Sequence, residues 1–178
     1  MKKYVVACAA AVALMAAGVA PAAAQETGKT GLVMTSGSLV GLTFQAGDSV
    51  AIRPSVAFLR STSEGGGLAD GDRTSTGWAP GVSVLFYVKS WEATRLYVSP
   101  QWTYSRVTAS DDGQNESKST GHSLAAMLGA QHNLGSRFAV FGEVGLSRAT
   151  AESDNAFAIG SKTTTWSTRS TVGGILFF

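Results

Sequence analysis

His122 and Ser123 are adjacent in GHSLAAM and Glu143 follows in FGEVGL, so the side-chain types of a base, a nucleophile and an orienting acid are all present. Their spacing works against that chemistry. In an extended chain neighbouring residues point to opposite faces, so His122 and Ser123 cannot converge on one reacting atom. Glu143 instead has three cations of matching pattern: Arg53, Arg95 and Arg169 all occupy the small or polar row of an alternating segment, as Glu143 does. A buried charge without a partner is costly. The pattern therefore predicts a structural ion-pair network of Glu143 with Arg53, Arg95 and Arg169, with Tyr97 and Gln101 nearby. A second set of arginines, Arg60, Arg106 and Arg148, stands two positions beyond Phe58, Tyr104 and Leu146 and so continues the apolar rows. Guanidinium groups pair bidentately with phosphate, which makes this set a candidate phosphate contact. Eight acids, Glu64, Asp70, Asp72, Asp111, Asp112, Glu116, Glu152 and Asp154, gather in three polar stretches, but Asp70-Gly71-Asp72 lacks the further spaced ligands of a calcium loop. Neither a metal nor a cofactor is expected.

The elements that must position these residues are strands. In VAIRPSVAFLR (50–60) Val50, Ile52, Pro54, Val56 and Phe58 alternate with Ala51, Arg53, Ser55, Ala57 and Leu59. Segments 77–88, 94–106 and 137–148 repeat the scheme, and 39–45, 122–132 and the closing WSTRSTVGGILFF (166–178) follow it more weakly. Thr168 and Ser170 spoil the upper half of the last. GLVMT (31–35) supplies an eighth strand, with SGS (36–38) as a tight turn. Connections alternate between short (46–49, 89–93, 133–136) and long (62–76, 108–120, 150–164). Short turns on one side and long loops on the other are the habit of an up-and-down transmembrane barrel. The second row is rich in Ala, Gly, Ser and Thr, which suits the crowded interior of eight strands. Aromatic residues mark both ends of the apolar row: Phe58, Trp78, Trp102 and Tyr104 at one, Phe86, Phe138 and Phe178 at the other. Pro54, Pro80 and Pro100 all fall on the apolar face of consecutive strands, where the expectation is a bulge or a local bend.

Composition bounds the rest. Residues 1–24, with Lys2 and Lys3, an apolar run and Ala22-Ala23-Ala24, have the three-part layout of a secretory signal peptide, leaving 25–178 as one barrel domain. The whole chain has 14 Lys+Arg against 12 Asp+Glu; without the two leader lysines the charges balance, so no basic excess remains for nucleic acid. The single cysteine, Cys8, lies in the leader. An exported chain without disulfides must be held by another means, and a closed sheet is one.

The segments RPSVAFLR, PGVSVLFYV, YVSPQWTYS, RFAVFGEVGLSRA and VGGILFF resemble the small outer-membrane β-barrels of Gram-negative bacteria, of the OmpX and OmpW type or the transmembrane domain of OmpA. That resemblance implies an all-β, eight-stranded antiparallel barrel in the cell outer membrane, a monomer surrounded by lipid and lipopolysaccharide. It implies that Phe178, Leu176 and Val172 form the C-terminal assembly signal, read by the barrel-assembly machinery after transit with periplasmic chaperones. Within it Arg60, Arg106 and Arg148 would emerge at the outer headgroups and contact lipopolysaccharide. The expected role is structural or surface interaction rather than catalysis. One alternative is a lipid A modifying enzyme; the His and Ser of outer-membrane lipid A deacylases lie one residue apart, unlike His122 and Ser123. A soluble secreted β-sandwich binding module is the other.

Overall fold

A computed structural model describes residues 30–37, 39–63, 73–111, 115–155 and 158–178; the leader and its cleavage site lie outside the described residues. Eight strands follow in chain order: β1 (Thr30–Thr35), β2 (Leu39–Gln45), β3 (Val50–Ser63), β4 (Arg73–Trp91), β5 (Thr94–Asp111), β6 (Asn115–Asn133), β7 (Phe138–Asn155) and β8 (Ala158–Phe177). Each pairs antiparallel with the next and β8 pairs with β1, closing the ring. The first hairpin forms as the sequence predicts, with Ser36 and Gly37 in its turn; Ser38 lies outside the described residues. The short connections hold 46–49, 92–93 and 134–137, and Gly47 takes φ 76° in the first, a conformation that L side chains rarely adopt. These turns define a lower end.

The upper connections are far shorter than the polar stretches suggest. Residues 107–111 and 115–120 continue β5 and β6 as a paired hairpin, and 150–155 and 158–164 do the same for β7 and β8. A ladder is made by backbone hydrogen bonds and does not require alternating side chains, so a polar stretch pairs as well as an apolar one.

The strands are strongly staggered. Passing from Val33 through its partners Gly41, Ser55, Gly81, Thr103, Ser123 and Ala149 leads to Thr165, ten residues along β8 from Ile175, the true partner of Val33. Such a stagger over eight strands about 4.8 Å apart tilts them by roughly 40°.

Alternation then sorts side chains inward and outward. Val33, Ala139, Phe141, Ile175 and Phe177 form one buried cluster in the lower half of the lumen, and Ala51, Leu85 and Tyr97, with Tyr87 packed against them, form another. The two largest fully buried side chains each lie over a glycine of the paired strand. Tyr97 faces Gly129 and Phe141 faces Gly173; a Cβ there would sit 2.4 Å from the Tyr97 ring and 2.6 Å from the Phe141 ring. Large apolar residues, among them Phe44, Ile52, Phe86, Val98, Leu128, Phe138, Val144 and Leu176, are exposed on the outside. The β-sandwich alternative fails here, because the apolar rows face outward around one ring instead of facing each other across two sheets.

The prolines produce no bulge. Pro54, Pro80 and Pro100 pair in register with Val82, Val56 and Ala126 on one side. On the other side the ladder skips two residue pairs at each and resumes in the same register. A strand residue directs its N–H to one neighbour only, so each proline removes a bond from one ladder and leaves the other intact. The register shifts lie elsewhere, between Tyr87 and Lys89 and between Ser153 and Asn155.

Candidate functional site: charged lumen and arginine rim

Midway up the lumen, β3, β5 and β7 bring four polar side chains together. Arg53 Nη1 donates to Glu143 Oε1 at 2.8 Å, and Tyr97 Oη donates to the same oxygen at 2.8 Å. Gln101 Nε2 donates to Oε2 at 3.0 Å. Both charges are buried, with side chains 4% and 3% exposed. The Arg53 guanidinium also lies 4.4 Å from the Phe141 ring centroid, an arrangement that favours a desolvated cation. Its Nε and Nη2 have no hydrogen-bond partner.

Arg95 and Arg169 do not join this cluster, which corrects the four-residue network read from the sequence. Alternation assigns a residue to a face, while height depends on the stagger. Arg95 sits about 11 Å below Glu143 at the strand rise and tilt given above. There its guanidinium stacks 3.6 Å from the Tyr87 ring centroid and donates to the Asp48 carbonyl. Tyr87 in turn donates to Gln131 at 3.1 Å, so Arg95, Tyr87 and Gln131 form a linked group toward the lower end. Arg169 pairs across the ladder with Gly145, two residues above Glu143. It is half-buried and carries no ion pair among the described residues.

Above this level the lumen widens. A cavity of about 430 Å³ is lined by Thr35, Ser55, Thr103, Thr171 and Arg169, with small residues such as Ala57 and Ala79 between them. A deeper pocket beneath it reaches Arg53, Gln101 and Glu143 and shares Ser55, Thr103 and Arg169 with it.

On the outside Arg60, Arg106 and Arg148 are all exposed. Arg60 pairs with Thr76 and that with Thr108, two residues above Arg106; Arg106 pairs with Thr120 and that with Glu152, four above Arg148. Because each step between strands climbs by a little over one residue, the three arginines lie within about 4 Å of one height. Trp78 is paired with Arg106, and Trp166 with Arg148, whose guanidinium lies 6.0 Å from its ring. Trp78 also packs edge-on against Tyr104 at 5.9 Å. A surface groove of about 530 Å³ runs along Phe58, Trp78, Arg106, Thr108 and Lys118. From Phe138 to Arg148 is ten residues of one strand, about 33 Å, or about 25 Å along the barrel axis. Sequence reading missed Trp166 as part of the upper aromatic ring, since Thr168 and Ser170 hide the alternation that leads to it.

His122 is exposed on the outer face, stacked on Trp102 at 6.1 Å and tilted against Tyr104 at 5.2 Å, while Ser123 turns inward. They share no face, and Glu143 is engaged with Arg53, Tyr97 and Gln101. Val172, Leu176 and Phe178 all point outward and are exposed. The Phe178 N–H donates to the Thr30 carbonyl at 3.0 Å, tying the last residue to the first strand. Gly174, which interrupts that apolar row, lies under the Phe138 ring.

No protein-family model and no curated protein matches the chain. Among solved structures it is similar to Acinetobacter baumannii CarO2 at 12% identity, covering 84% of this chain and 97% of that one with a TM-score of 0.41. CarO of the same organism matches at 13% identity, covering 84% and 96%, TM-score 0.41. Ail, the attachment invasion locus protein of Yersinia pestis, matches at 19% identity, covering 84% and 92%, TM-score 0.42. The chain itself is an eight-stranded antiparallel up-and-down β-barrel, apolar outside, with a buried Arg53–Glu143 pair in its lumen.

Proposed function

We propose that this chain is an integral protein of the Gram-negative outer membrane, non-enzymatic, with a structural or surface-interaction role and a lipopolysaccharide-contacting rim. The observation that carries the reading is a closed ring whose large apolar side chains face outward beneath three arginines at one height. Hydrocarbon tolerates only a sheet that satisfies its own backbone, and closure supplies that. The span from Phe138 to Arg148 matches the height of an apolar band, so Arg60, Arg106 and Arg148 meet the outer headgroups. There they pair with lipopolysaccharide phosphates, with Trp78 and Trp166 beside them at the interface. The leader directs export, periplasmic chaperones carry the chain, and the barrel-assembly machinery reads Phe178, Leu176 and Val172.

Membrane fractionation with gel mobility before and after heating tests the location. Recovery in the soluble periplasm without a mobility shift would overturn it. Binding of purified lipopolysaccharide to the protein with Arg60, Arg106 and Arg148 all changed to alanine tests the rim. Affinity is expected to fall at least tenfold and to lose most of its salt dependence; an unchanged affinity refutes the contact.

A further inference from the structure

The wall of the barrel is uneven, and the low part coincides with a cation that has no ion pair among the described residues. β1 and β2 are short: β2 pairs with β3 no higher than Ala57, and β1 pairs with β8 no higher than Gly173. One further bond, from the Ser36 N–H to the Val172 carbonyl, marks the top of the hairpin. Above it the upper parts of β3 and β8 have no strand between them among the described residues. The hairpin ends roughly 10 Å below the arginine row, so this gap lies within the upper part of the apolar band. Irregular backbone at that depth is tolerated where it lines a polar cavity. Such a cavity is present. It is lined along β8 by the consecutive residues Thr168 to Thr171, the stretch of that strand just above its last bond to the hairpin, so it lies beside the low part of the wall. Thr168 and Ser170, which break the apolar row of β8, are part of that lining.

Among the described residues its charge is unbalanced. Glu143 is matched by Arg53, leaving Arg169 as a surplus positive charge above a floor that Arg53 helps to line. The hydroxyls of Thr35, Ser55, Thr103 and Thr171 surround the same space. A guanidinium among hydroxyls suits an oxyanion.

We propose that this opening binds an anionic amphiphile, its phosphate or carboxylate head against Arg169 above Arg53 and its chain leaving over β8 into the lipid. The orientation rests on the membrane reading above, whereas head-group recognition does not. The test therefore uses purified, folded protein in non-ionic maltoside micelles, where location plays no part. Calorimetric titration with dodecyl phosphate is expected to show one site, weakened at least tenfold by Arg169→Gln and largely retained by Arg169→Lys. Dodecylphosphocholine is expected to bind at least tenfold more weakly than dodecyl phosphate, and inorganic phosphate likewise. Thr168→Phe, which narrows the exit from outside, is expected to abolish the advantage of dodecyl phosphate over inorganic phosphate. Heat-modifiable mobility verifies that each variant is folded, and the triple rim variant separates this site from Arg60, Arg106 and Arg148 by binding normally. Dodecyl phosphate binding that survives Arg169→Gln or Thr168→Phe unchanged overturns the proposal. Inorganic phosphate binding as tightly as dodecyl phosphate overturns the amphiphile in favour of a soluble anion.

Discussion

Changing Glu143 to glutamine probes the lumen more sharply than deleting it would, because the shape is preserved. In the native protein the carboxylate accepts from Arg53 at 2.8 Å, Tyr97 at 2.8 Å and Gln101 at 3.0 Å, all in the interior. An amide keeps one accepting oxygen and turns an NH₂ toward a donor, so at least one of these bonds becomes a clash of donors. Arg53 loses the one counter-charge it has among the described residues, while its Nε and Nη2 are already unpartnered. Breaking one side of a buried ion pair typically costs about 3–5 kcal/mol. The expected loss for Glu143→Gln lies in that range. Replacing both charges, as Arg53→Met with Glu143→Gln, removes the stranded cation and is expected to restore more than half of it. Urea unfolding in phospholipid vesicles, followed by tryptophan fluorescence and gel mobility, measures both, and the double-mutant cycle isolates the coupling. A single-variant loss below about 1 kcal/mol, or no recovery in the double variant, would show that the pair is not what holds the lumen together.

Gly129→Ala places a methyl 2.4 Å from the Tyr97 ring, which its bond to Glu143 holds in place, so a loss of about 1–3 kcal/mol is expected in the same assay, relieved by Tyr97→Leu. Pro100→Val returns an N–H to the β4–β5 ladder without changing the register and is expected to add about 1 kcal/mol; a loss would mean that the proline shapes the strand. Removing Phe178 deletes the bond to Thr30 and the terminal aromatic, and the unfolded, non-heat-modifiable form is expected to accumulate in cells. Normal yields of folded protein would remove Phe178 from the assembly signal.

What the alternation could reveal was which face each residue takes. It delivered all eight strands, including β1 and its hairpin, because one-in-two patterning survives even in six residues. It also put Arg53 and Glu143 on the inside together. It could not deliver height. Arg95 and Arg169 share their row but stand about 11 Å below and about 8 Å above the carboxylate, a consequence of a stagger that only the paired register reveals. The long upper hairpins were hidden for a related reason: Ser117–Thr120 and Thr163–Thr165 are as polar as loops, and only their partners make them strands. The pairing of Tyr97 with Gly129 and of Phe141 with Gly173 did leave a trace, an inward aromatic opposite an inward glycine, yet reading it also requires the register.

The seam between the first and last strands sets the order in which the molecule can be made. From β3 to β8 each strand meets the next along nearly its whole length, as hairpins between neighbours in sequence that close quickly. β1 meets β8 only from Gly31 to Thr35, across almost the full separation of the chain. Contacts so distant in sequence are slow to form, and a ladder so brief returns little until the side chains beneath it are in place. Val33, Ile175 and Phe177 lie directly behind that seam, packed with Phe141. Ring closure and the filling of the lower lumen are therefore a single late event, and a chain halted before it would be a curved, open sheet with both end strands unsatisfied.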